Sequence, residues 1–180
     1  ARSGAAARGA GAQVERIARA TAEFLSRPDG PRVAVFETTG WDTHANQGSE
    51  AGALALRLRA LDAGLRALRE SLGATWASTV VLVATEFGRT VAVNGTRGTD
   101  HGTGAAAFLL GGAVRGGRIV GDWPGLAAGA LYQGRDLAPT TDLRSVMKTV
   151  LRDHMQVPQR LIEQSVFPES AGARFLPGLV

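Results

Sequence analysis

The sequence predicts an α/β fold built on a mostly parallel sheet, and three observations carry that prediction. Two short runs, "RVAVFET" at 32–38 and "STVVLVATEFG" at 78–88, are rich in β-branched and aromatic residues and almost continuously apolar, the pattern of strands buried on both faces. Amphipathic helical stretches stand before and between them. A third apolar run, "AAAFLLGGAV" at 105–114, is followed by another helical stretch. Strands alternating with long helices imply βαβ units and a parallel sheet.

The elements follow in order. Residues 12–26 place Val14, Ile17, Ala18, Phe24 and Leu25 at the 3.6-residue period, and "RPDGP" ends that helix. The first strand is 32–38. A long helix covers 49–72, with Ser49 as its expected N-cap and Leu54, Leu58, Leu61, Leu65, Leu68 and Leu72 on one side as core. After the second strand, residues 90–104 form a polar, Gly-rich excursion in which Asn94-Gly95 signals a tight turn. The third strand leads into "GGRIVGDWPGL", a loop or short hairpin. A helix begins at Thr140, capped by Thr141 or Asp142, and ends before Pro158. "PQRLIEQ" gives a short last helix.

Bulk properties narrow the class. A chain of 180 residues has the length of one ordinary domain and enough residues for a sizeable core, and no internal repeat or linker divides it, so 1–180 reads as a single domain. With 44% apolar and 20% charged residues the chain is globular rather than disordered. The net charge of +4 is spread along the chain, and no basic block with interleaved aromatics exists, which argues against a nucleic-acid partner. The absence of cysteine removes disulfides, thiolate zinc sites and a cysteine nucleophile, and leaves the compartment open. No run of about 18 apolar residues predicts a transmembrane helix, and no signal peptide is visible. The opening "ARSGAAARGAGAQ" reads as a chain entered partway, with residues 1–11 as a flexible lead-in.

In an open α/β sheet, ligands bind beyond the carboxyl ends of the strands. Asp42 and His44 follow the first strand, Glu86 follows "VVLVAT", and Asp100 and His101 precede the third strand. Three carboxylates and two imidazoles suit Zn²⁺, Mn²⁺ or a similar dication. The two-residue spacing sets Asp42 and His44 on one side of an extended segment. Asp100 and His101 are adjacent, and Gly98, Gly102 and Gly104 let them splay toward one ion or let one orient the other. Each pair alone also has an ordinary reading as a loop hydrogen bond. "RDHM" at 152–155 shows this: it is an Asp-His pair near a helix end, where His154 faces solvent or complements the helix terminus. Arg89 is placed either to clamp an anionic substrate or to pair with Glu86 or Asp100. Trp41 lines a site or packs. "GTGAAA" at 102–107 lacks the strand-to-helix setting of a dinucleotide site, and neither a Gly-x-Ser-x-Gly elbow nor a P-loop is present.

Taken in order, "GWDTHANQ", "VVLVATEFGRT", "GTDHG", "LLGGAVRGGRIVGDWPGL" and "GRDLAPTTDLRSVMKTVL" resemble the DUF1501 family from about residue 33 to the end. That family is similar to the alkaline phosphatase/sulfatase superfamily. The resemblance implies a three-layer α/β/α sandwich, alkaline phosphatase-like, and hydrolysis of phosphate or sulfate esters with bound divalent metal (Zn, Mn or Ca). By this likeness Asp42 and His44 correspond to a first ligand pair, His101 to a last histidine ligand and Glu86 to a strand-end carboxylate. Asp100 would complete or orient the ligand set and Arg89 would hold the anionic ester, a small molecule or a polymer. Phe87 stands where the superfamily has a histidine ligand, and the nucleophile of that superfamily lies in an amino-terminal half. The resemblance therefore implies the carboxyl-terminal part of a longer, exported protein. It leaves two expectations for function: a metal-dependent hydrolase-like domain, or a non-catalytic binding or scaffold protein with a degraded site.

Overall fold

Helix α1, Arg2–Leu25, takes in all but the last residue of the amphipathic stretch at 12–26, and its Ala18 and Ala22 are fully buried. The computed structural model describes residues 2–180, without the side chains of 2–8 and 10, and the backbone of the lead-in expected over 1–11 belongs to α1 from Arg2 onward. Helix α2, Ala53–Leu72, packs on α1. Small residues dominate its buried face: Ala55, Ala60, Gly64 and Ala67, with Leu68 and Leu72 at the end. The leucine stripe expected there is therefore only partly core, and Leu58 is exposed. Two helices whose contact faces are mainly alanine approach closely and leave longer side chains at the edge of the interface. Ser49 does not cap α2. Gly52 takes the N-cap position, with no side-chain bond to the helix.

The first expected strand behaves differently. Residues 32–38 join no ladder among the described residues, and Val33 and Val35 are exposed, Val35 at 92%. β-propensity describes a fit to a pleated, half-buried surface, so an apolar run without a neighbouring strand has nothing to register against. The ladders that do form are antiparallel. Strand β1, Val81–Val83, pairs with β4, Phe108–Leu110, in the register Val81↔Leu110, Leu82↔Leu109 and Val83↔Phe108. Strand β2, Gly88–Arg89, pairs with β3, His101–Gly102. No parallel ladder occurs among the described residues, so the mostly parallel sheet stays an expectation of the strand–helix alternation and the three-layer sandwich one of the resemblance.

The chain, read from its sequence as one domain, packs as two compact units. The first holds the residues up to Trp76 together with Ala92–Asp100; the second holds Ala77–Val91 and His101–Val180. The excursion 92–100 thus belongs with α1 and α2. In the second unit, helix α3, Leu143–Thr149, continues as π-helical turns over Val150–His154, and helix α4, Gln159–Leu161, continues likewise over Ile162–Val166. Asp142 caps α3 as one of the two expected residues, accepting from Arg144 N at 2.9 Å. Lys148, the only lysine, is 1% exposed and donates to Ser170 O at 3.1 Å and Ser170 Oγ at 3.2 Å, which ties α3 to the carboxyl-terminal segment around buried Ile162 and Ala173. Among the described residues no helix is long and apolar enough to cross a membrane.

Candidate functional site

In the first unit, two loops meet, and Asp42, His44 and Asp100 meet with them. Backbone bonds lay the loops side by side: Asn46 N donates to Thr96 O at 3.0 Å, Gln47 N to Arg97 O at 3.0 Å and Thr99 N to Thr43 O at 3.2 Å, about an isolated bridge between Ala45 and Arg97. The Gln47 amide oxygen accepts from the hydroxyls of buried Thr43 and Thr99, each at 2.7 Å, and so joins both loops from beneath. The expected turn at Asn94-Gly95 forms, closed by Arg97 N to Asn94 O at 3.1 Å with Arg97 in the left-handed region.

His44 lies between two carboxylates. Its Nε2 is 3.0 Å from Asp42 Oδ1 and its Nδ1 is 3.1 Å from Asp100 Oδ1. A neutral imidazole donates from one nitrogen only. With the donor at Nδ1 facing Asp100, the lone pair of Nε2 faces Asp42, and two such electron-rich atoms need a proton or a cation between them. The 3.0 Å separation is that of an N–H···O hydrogen bond, and it also suits two neighbouring ligands of one six-coordinate cation, whose bonds of about 2.1 Å at right angles set ligand atoms about 3 Å apart. A histidine ligand also commonly donates its other ring N–H to a carboxylate. Asp42 and His44 could therefore share one cation, with Asp100 as the acceptor that orients His44. All three are exposed, so solvent or a substrate reaches them.

The sequence did not single out Asn94 as more than a turn residue, yet it organises this cluster. Its Nδ2 donates to His44 O at 3.0 Å and to Asp100 Oδ1 at 2.9 Å, and its Oδ1 accepts from Thr96 N and Gly98 N, both at 3.0 Å. Thr96 Oγ1 adds a 2.7 Å bond to His44 O. Gly98 is required by close approach: a Cβ there would fall 2.2 Å from both the carbonyl carbon and the oxygen of His44.

Glu86, Arg89 and His101 lie in the second unit. Arg89 and His101 are register partners across β2 and β3. Phe87 is the platform for both side chains. Its ring stacks on His101 with centroids 4.3 Å apart and planes 14° from parallel, and the Arg89 guanidinium carbon lies 4.8 Å from its centroid. Phe87 therefore holds the His101 ring in place. Glu86 is exposed in the loop between β1 and β2 and makes no hydrogen bond or ion pair among the described residues, so the Arg89–Glu86 pairing weighed above does not form. A second residue that sequence reasoning missed is Asp136, whose side chain is 1% exposed. It accepts from Arg135 Nε at 2.8 Å and from Thr103 Oγ1 at 2.9 Å, which anchors the loop that leaves β3. The Arg135 guanidinium holds its carboxyl below the usual carboxylate range, with the Thr103 bond assisting and burial opposing. Its only sequence signal is the charged pair inside "GRDL".

The family model described as "Protein of unknown function (DUF1501)" matches residues 4–166. No curated protein and no solved structure matches the chain.

Proposed function

The chain belongs to the DUF1501 family, and from that premise we propose that it binds a divalent cation through Asp42 and His44 and serves as a metal-dependent hydrolase-like domain acting on phosphate or sulfate esters. The observation that carries this reading is His44 held between two carboxylates, one poised as a co-ligand and one as the acceptor that fixes the ring. His101, the residue after Asp100 in the chain, and Glu86 are the further candidate ligands. Zn²⁺, Mn²⁺ and Ca²⁺ are the candidate ions, and an exported location belongs to the same proposal.

A cation bound there would act as a Lewis acid on an ester oxygen and would acidify a water bound to it. The protein's own groups do the remaining work in this reading. Asp100 keeps the His44 Nδ1 proton in place and Asn94 keeps Asp100 in place; Arg89 is the candidate anion-binding residue that the resemblance implies. One observation favours the rival reading, a non-catalytic binding or scaffold protein: Phe87, which by the resemblance stands in place of a histidine ligand, is stacked on His101.

Elemental analysis of purified protein tests the cation. His44→Ala and His101→Ala are each expected to lower the bound metal, and unchanged stoichiometry in both would sink the assignment. Phosphate and sulfate monoesters supplied with Zn²⁺ or Mn²⁺ then separate the two functions. Turnover that His44→Ala removes supports the hydrolase, whereas metal binding without turnover supports the binding protein.

A further inference from the structure

The first unit contains a cleft that the cation site does not use. Val14 and Ile17 of α1 and Leu61 of α2 form its apolar floor, Trp41 is a wall, and Arg57 and Glu37 supply its charges. Its volume is about 210 Å³, below the range of about 300–1,000 Å³ that holds drug-sized ligands, so an occupant is small. Arg57 is half-buried and makes no hydrogen bond or ion pair among the described residues. Its guanidinium lies against Gly40, where a Cβ would fall 2.4 Å from Nη2 and 2.5 Å from Cζ and Nε. Gly40 also has φ 88°, a conformation that glycine accepts readily. The guanidinium is thus positioned by backbone rather than by an acid, and its fork of donors remains available. The Trp41 indole is fixed separately, donating from Nε1 to Thr38 Oγ1 at 2.9 Å.

We propose that this cleft binds a small organic monocarboxylate, with its carboxylate on the Arg57 fork and a short aliphatic body on Val14, Ile17 and Leu61. A planar guanidinium matches a carboxylate with two parallel bonds. A single guanidinium with Glu37 on the same cleft selects against multiply charged anions, because like charges are penalised. The ligand class follows from the apolar floor joined to one unspent cation. The inference is independent of the cation proposed at Asp42 and His44.

The test uses hexanoate and follows the Trp41 indole N–H resonance of the whole chain, with a chelator present so that no metal contributes. Hexanoate is expected to shift that resonance saturably, and 1-hexanol at the same concentrations is expected not to. Arg57→Met should weaken hexanoate binding at least tenfold. Arg57→Lys, which keeps the charge and loses the fork, should weaken it less and serves if the methionine variant does not fold. No saturable shift, an equal response to hexanol, or undiminished binding by the folded Arg57 variants would overturn the proposal.

Discussion

His44 can be fixed without being buried because its neighbours hold it from three directions: a carboxylate at each ring nitrogen and two donors on its carbonyl oxygen. Asp100→Asn keeps the shape of the acceptor and removes its charge. Cation affinity is expected to fall about 10- to 100-fold, the usual cost of losing a carboxylate behind a histidine ligand. Zn²⁺ titration by calorimetry reads this, and an unchanged affinity would remove Asp100 from the orienting role. Gly98→Ala must push the His44 carbonyl aside, so it is expected to lower metal binding and to cost about 1–3 kcal/mol by urea unfolding, as overpacking does. Asp42, His44 and Asp100 were legible because chemistry-bearing residues are few here and the chain has only three histidines. Asn94 was not, because Asn-Gly carries a local turn signal, while its bond to His44 O spans 50 residues.

At the scale of elements, helices read better than strands. A helix satisfies its backbone within one segment, so the periodicity at 12–26 places the end of α1, though not its start at Arg2, and the cap at Asp142 places the start of α3. Asp142→Ala is expected to cost about 1 kcal/mol, the value of an N-cap bond, seen as a lower urea midpoint with unchanged slope. A strand needs a partner. The run 78–88 finds one over Val81–Val83 and another at Gly88, and 32–38 finds none among the described residues. The start of α2 shows a smaller version of the same limit: Ser49 is a good cap by type, but the helix begins beyond Gly52.

For the whole molecule, pH dependence follows from carboxylates held by arginine. Arg144 lowers the Asp142 carboxyl and Arg152 that of Asp153, as Arg135 does for buried Asp136. A carboxyl whose folded value is depressed contributes stability that is complete above its unfolded value and is lost as pH falls through the folded one. The urea midpoint should therefore be level from neutral pH down to about 5 and should drop below about pH 4, where unfolded carboxylates gain protons. Asp136→Asn should lower the neutral midpoint and flatten the acid limb; an unaltered limb would show that Asp136 does not contribute to it. By itself the sequence determined the family, the helices and the identity of the polar residues that chemistry would use, because periodicity, caps and motif order are local properties of the chain. Only the tertiary structure decided that 92–100 lies against 43–47, that Asn94 and Gln47 join those loops, and that Asp136 is buried. Those relations join residues far apart in sequence, where packing rather than local preference selects the neighbour.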